Sequence, residues 1–215
     1  MNNWEKIYLD QRQNSTWPWS DVISAFYKYA GNYLIDKKKK VLELGFGSGA
    51  NIMFFAKQKI KYYGIDGSYY ITKKVRLKYP HLKKRLINCY FKDEYFKKKK
   101  FDIIFDRGSI SLNSEKDIKA IIGQIYNKLN KNGYFFGLDW YSKNCSDYSK
   151  KNYQKKNFLF FKNGTFKDMS VFFSNKKDLL KIFENFMVIH LSEKKIFNYS
   201  SNSKFATWNI ICKKK

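Results

Sequence analysis

Five short apolar runs in this chain carry a carboxylate at or near their carboxyl ends, and acids at such places can bind or move protons. Glu43 stands inside Val41-Leu42-Glu43-Leu44, two residues before the turn Gly45-Phe46-Gly47-Ser48-Gly49-Ala50-Asn51. Asp66 follows Tyr62-Tyr63-Gly64-Ile65, with Gly67 and Ser68 next, and Asp93 lies just after the run that starts at Leu86. Asp106 and Asp139 follow Phe101–Phe105 and Tyr134–Leu138. Glycines after a strand allow a tight turn and a close backbone approach to a ligand, whose polar group then meets the N-terminus of the next helix. Glu43 would gain nothing beside a pyrophosphate and would favour an ammonium. Asp66 can accept both hydroxyls of a ribose in charge-assisted bonds, and Asp93 can accept from an adenine amino group. An ammonium, a ribose and an adenine without phosphates describe S-adenosylmethionine. The turn also fits G-x-G-x-x-G/A through Gly45, Gly47 and Ala50, so a nicotinamide-dependent oxidoreductase is the alternative.

The elements that must hold these residues alternate. Strands are expected at 41–44, 62–65, 86–90, 101–105 and 134–138. Helices are expected at 51–57, at 68–78 (closed by Pro80), at 115–129 (stopped at Gly133) and at 176–183. Met187–Leu191 and Ala206–Cys212 are close enough in sequence to be antiparallel partners. Strands separated by helices give an α/β, Rossmann-like, doubly wound seven-stranded sheet, mostly parallel with one antiparallel strand near the C-terminus. Such sheets bind ligands outside the carboxyl ends of their strands.

The 215 residues suit a single domain, and no repeat or linker divides them. Its 43 Lys+Arg against 18 Asp+Glu give +25, which suggests nucleic acid as a rival partner. Yet only four of the basic residues are arginines, the side chain favoured for bidentate phosphate and guanine contacts. The runs Lys37–Lys40, Lys97–Lys100 and Lys213–Lys215 therefore read as solvated surface, and nucleic acid is not the expected partner. No apolar run is long enough to span a bilayer, and the start has no secretory pattern. Cys89, Cys145 and Cys212 are odd in number and far apart, so neither a disulfide framework nor a metal cluster is expected, and the expected compartment is the cytoplasm.

The ordered set Glu43-x-Gly45-x-Gly47-x-Gly49, Gly64-Ile65-Asp66-Gly67-Ser68, Phe101–Asp106 and Leu129-Asn130-Lys131-Asn132-Gly133 resembles the motifs of class I S-adenosylmethionine-dependent methyltransferases. The resemblance spans about residues 38 to 140. It departs from the family at Phe46, where a smaller or different residue is often found, and at Asn130–Gly133, which stands where Lys-Pro-Gly-Gly is usual. It implies that Gly45, Phe46, Gly47 and Gly49 hold the methionyl end, that Asp66, Gly67 and Ser68 hold the ribose, and that Asp93 meets the adenine. Residues after the fourth strand, Asp106-Arg107-Gly108-Ser109, would face the transferred methyl. Amino-methylating DNA enzymes carry Pro-Pro there, and the only prolines here are Pro18 and Pro80, so that class is excluded.

Residues 1–36, with Trp4, Tyr8, Trp17, Trp19 and Phe26, resemble the substrate flap of small-molecule methyltransferases, and 141–174 stands where the family builds lids. Trp17, Trp19, Arg107, Trp140 and Tyr141 are the expected acceptor-binding residues. Asp106 and Asp139 are the expected general bases, ahead of His81 and His190, with Arg107 orienting an anionic group. No metal is expected. The expected acceptor is small and polar, anionic or nucleotide-linked, methylated at oxygen, on the pattern of surface-glycan precursors in polysaccharide biosynthesis.

Overall fold

A computed structural model describes residues 3–148 and 157–215. The chain begins with α1 (Asn3–Leu9) and α2 (Ser20–Ile35), then enters β1 (Lys40–Leu44), α3 (Ile52–Lys57), β2 (Lys61–Asp66) and α4 (Tyr69–Lys78). A 3-10 turn opened by Pro80 leads to β3 (Leu86–Asn88), then β4 (Phe101–Arg107), α5 (Glu115–Lys128) and β5 (Leu129–Tyr141). A hairpin of β6 (Phe158–Phe161) and β7 (Met169–Phe172) precedes α6 (Lys176–Ile182), β8 (Phe186–Asn198) and β9 (Ser203–Lys214).

Seven strands form one sheet in the order β3-β2-β1-β4-β5-β9-β8, and β9 alone runs antiparallel to its neighbours. The order reverses between β1 and β4, which opens a crevice at their carboxyl ends. Period-two alternation sends Leu42, Leu44 and Ile104 to one face, where Ile118, Ile121 and Ile125 of α5 and Leu179 of α6 cover them. Val41, Ile103 and Phe105 point to the other, under Val22 and Phe26 of α2, Phe55 of α3 and Val75 of α4. Burying such side chains contributes roughly 1.5–3 kcal/mol each. Helix starts are set by side-chain caps: Ser68 accepts from Ile71 N–H, Ser114 from Asp117 N–H, and Asn175 forms a reciprocal box with Asp178.

Several expected elements change. The first helix after the turn starts at Ile52, the third strand is shorter, and α5 ends at Lys128 with β5 following at once. The left-handed residue is Asn132 (φ +62°) rather than Gly133, whose Cβ would lie 2.9 Å from the Asn130 carbonyl. The two closing strands run to 13 and 12 residues, well past 187–191 and 206–212. Half of the expected flap is core: α2 buries Val22, Phe26, Ala30 and Leu34 against the sheet.

Candidate functional site

Two cavities open at the carboxyl ends of β1, β2, β4 and β5. The larger, about 690 Å³, is lined by Gly45, Asp66, Gly67, Phe91, Asp93 and Ser109, under Trp4, Ile7 and Tyr8 of α1. The smaller, about 300 Å³, is lined by Glu43, Gly45, Phe46, Gly47, Arg107, Asp139, Tyr141 and Trp19. Trp4, Tyr8, Gly45, Ser109, Leu112 and Met169 are walls of both. The two spaces therefore adjoin.

Gly45, Gly47 and Gly49 all have left-handed backbones (φ +74°, +54° and +77°), which L side chains adopt only under strain. At Gly45 a Cβ would stand 2.6 Å from Ser109 Cβ, and at Gly47 it would stand 3.0 Å from the Tyr8 hydroxyl. A Cβ at Gly49 would instead meet Ile52 and Val75, and Gly49 lies outside both cavity walls.

Asp66 sits at the inner end of the larger cavity. One oxygen accepts from the Gly47 N–H and the other from the Ser68 N–H, both at 2.9 Å. Burial pushes its carboxyl up to about 6, against the lowering effect of those two amides. Ser68 itself corrects an expectation: it is fully buried, and its hydroxyl donates to Glu5 while accepting from Ile71 N–H. Glu5 also accepts from the Tyr70 N–H, which places an acid at the N-terminus of α4 and holds α1 over the cavity. Asp93 lines the cavity and accepts from the Tyr90 N–H at 2.8 Å.

Glu43 is buried at the edge of the smaller cavity, with its oxygens taken by the Asn51 amide (2.7 Å) and the Tyr62 hydroxyl. Burial raises its carboxyl to about 8. Asn51 accepts in turn from the Trp19 N–H, so this chain of bonds braces the glycine turn and anchors the N-terminal segment. Direct contact with an ammonium is not what these bonds provide. Sequence reasoning missed Asn51 because Asn at a helix start reads simply as a cap.

Asp106 is the larger correction. It is fully buried, lines neither cavity, and accepts from Ser109 N–H, Ser109 Oγ–H, Ile110 N–H and Trp140 Nε1–H. Burial raises its carboxyl to about 6. It ties the end of β4 to the following loop, with three donors on one oxygen and the Trp140 indole on the other. Trp140 is equally buried, in the core beside Phe135 and Phe183, and is no acceptor wall. Trp17 is 73% exposed and outside both cavities, whereas Trp19 lines the smaller one. Neither histidine lines a cavity. His190 shares a hydrogen bond with Ser192 and stacks on Tyr29.

Arg107 crosses the floor of the smaller cavity. Its Nε donates to Asp21 at 3.1 Å, its Nη2 pairs with Asp139, and its guanidinium lies 3.7 Å from the Trp19 ring centre. Asp139 (φ +54°) also accepts from Thr207 Oγ1 at 3.1 Å. Burial lifts its carboxyl above the usual range and Arg107 works against that lift. Asp21 and Thr207 were not expected at the site; nothing in their local sequence marks them.

Residues 41–133 match a family described as a methyltransferase domain. No curated protein matches the chain. Among solved structures, a S-adenosylmethionine-dependent methyltransferase from Methanosarcina mazei is similar with a TM-score of 0.68 at 15% identity, over 86% of this chain and 97% of that one. A S-adenosylmethionine-dependent methyltransferase from Clostridium acetobutylicum gives 0.62 at 17% identity, over 97% and 95%. The 1,6-didemethyltoxoflavin-N1-methyltransferase of Burkholderia thailandensis, solved with 1,6-didemethyltoxoflavin and S-adenosylhomocysteine, gives 0.62 at 12%, over 89% and 76%. Residues 41–133 are thus similar to a methyltransferase domain, and the chain has the α/β fold of these solved S-adenosylmethionine-dependent methyltransferases. S-adenosylmethionine is the cofactor named for these solved structures, and the residues lining the larger cavity here fit it. A buried carboxylate, Asp66, lines it beside bare glycine backbone, and among the described residues Lys92 is the one basic side chain on its wall. Among the described residues no helix is long and apolar enough to cross a membrane.

Proposed function

We propose that the protein transfers a methyl group from S-adenosylmethionine to a small polar acceptor held in the smaller cavity. The adjoining cavities with six shared wall residues carry this reading, because they set two ligands against each other at the switch point of the sheet. When bound, the cofactor supplies an electrophilic methyl group on a sulfonium. Asp66 accepts the ribose hydroxyls, Asp93 accepts from the adenine amino group, and the backbone of Gly45 and Gly47 admits the methionyl end. Alignment of this kind can account for roughly 7–11 kcal/mol of the barrier.

Asp139 is the base in this scheme: it faces the acceptor cavity, and its raised carboxyl suits it to take a proton. Arg107 holds Asp139 in place. Trp4, Tyr8 and Trp19 of the N-terminal segment, with Met169 and Phe166 of the insert, close the site against water. Arg12 links those two covers, reaching the Lys167 carbonyl and Asp168. Hydroxylated parts of a glycan-type acceptor are matched by Gln13, Ser15, Ser48 and Thr165. A phosphate group is not matched, since Arg107 already faces two carboxylates.

Calorimetry with S-adenosylhomocysteine and with NAD tests the reading. Micromolar binding of the former and none of the latter is expected; binding of NAD alone would refute it.

A further inference from the structure

Tyr8 is 8% exposed and lines both cavities, yet its hydroxyl bonds to no protein atom among the described residues. The hydroxyl is not sealed in, because the buried polar atoms that lack both a partner and open space belong to Thr72, Tyr79, Tyr95 and Gln124. It stands beside Gly47, where a Cβ would come within 3.0 Å of it. A buried polar group without a partner is costly, and here only a ligand in the cavity can supply one. The side chain is held in place from its own helix. Tyr8 and Trp4 lie one turn apart on α1 with ring centres 5.8 Å apart, and Glu5 ties α1 to Ser68 and the Tyr70 N–H. Burial first, and then the nearby Asp66 and Glu43 carboxyls, push the Tyr8 hydroxyl well above its usual range, so it keeps its proton and acts as a donor. Neither acid accepts from it: Asp66 is bonded to the Gly47 and Ser68 amides, and Glu43 to Asn51 and Tyr62.

The turn beside Tyr8 is the wall that the reading above gives to the methionyl end of the cofactor, which ends in a carboxylate. Among the described residues the basic side chains on the two walls are Lys92 and Arg107, and both are already paired, Lys92 with Asp117 and Arg107 with Asp21 and Asp139. We infer that Tyr8 binds the cofactor, its hydroxyl donating a hydrogen bond to the methionyl carboxylate in place of a cation. This rests on the methyl-transfer reading and gives Tyr8 a ligand contact besides its place in the cover. The proton stays on the phenol, which is a far weaker acid than the carboxyl it faces. A hydrogen bond to an ionised acceptor is roughly twice as strong as a neutral one.

Two probes test this by calorimetry on the full chain: S-adenosylhomocysteine, and its decarboxylated analogue, which keeps the adenine, ribose and ammonium but lacks the carboxylate. Tyr8→Phe keeps the ring against Trp4 and removes only the hydroxyl. The variant is expected to bind S-adenosylhomocysteine about tenfold more weakly than the unaltered chain, and to bind the decarboxylated analogue as the unaltered chain does. An equal loss for both probes would assign Tyr8 a packing role and overturn the inference. Unchanged affinity for S-adenosylhomocysteine would overturn it too, because the hydroxyl would then serve the acceptor or nothing. Failure of the unaltered chain to bind S-adenosylhomocysteine is a separate result, and it strikes the underlying methyl-transfer reading instead.

Discussion

Asp66 is held between two backbone amides, and its carboxyl titrates near 6 because burial outweighs them. An ionised carboxylate is the stronger acceptor for ribose hydroxyls, and hydrogen bonds to charged groups contribute roughly 1.5–3 kcal/mol. Affinity for S-adenosylhomocysteine should therefore be flat above pH 6 and fall as pH drops through it. Asp66→Ala should weaken binding at pH 8 by about ten- to hundredfold, and Asp66→Asn should remove the pH dependence; calorimetry across pH reads both. Asp106 has a different signature. Removing it strands the Trp140, Ser109 and Ile110 donors in the interior, so Asp106→Ala should cost about 3–5 kcal/mol in urea unfolding. The same carboxylate looked catalytic in the sequence because its place after β4 was visible and the burial of its four donors was not.

At the scale of elements, the β1–α3 turn depends on glycine at its left-handed positions, Gly45, Gly47 and Gly49. Gly45→Ala would add a Cβ in a left-handed conformation and against Ser109. The backbone strain alone costs about 1–2 kcal/mol. The variant should lose tenfold or more in S-adenosylhomocysteine affinity while its circular dichroism stays native. This turn and the strands on either side of it were legible, since Val41–Leu44 and Phe101–Phe105 are apolar runs between plain turn signals. The β6–β7 hairpin was not legible: Phe158-Leu159-Phe160-Phe161 lies in a stretch dominated by Lys, Tyr and Asn. The outer half of β8 hid for a related reason. Ser192-Glu193-Lys194-Lys195 looks like a loop, yet it pairs with Ala206–Asn209 of β9, an edge position where charged side chains are tolerated. Of the residues expected at the site, Asp66 and Asp93 line the larger cavity and Arg107 the smaller. Spacing could not show that Trp140 turns inward, because β5 shifts register between Gly137 and Trp140.

For the whole molecule, the lysine runs have a common address. Lys37–Lys40 lead into β1, Lys97–Lys100 into β4, and Lys213 pairs with Tyr134 near the start of β5. All three sit at the amino ends of the parallel strands, the face opposite the cavities. Any polyanion attracted by the +25 charge should meet that face. RNA is thus expected to bind only at low salt, with a steep salt slope, and to leave S-adenosylhomocysteine affinity unchanged in a competition titration. Loss of cofactor-product binding on adding RNA would show that the charge serves the cleft instead. The same polarity governs how the protein is best handled. Trp4 already forms part of both cavity walls, whereas Lys214 pairs with Phe186 at the far base of the sheet. An affinity tag fused ahead of α1 would crowd the entrance, and one appended after β9 would hang clear of it.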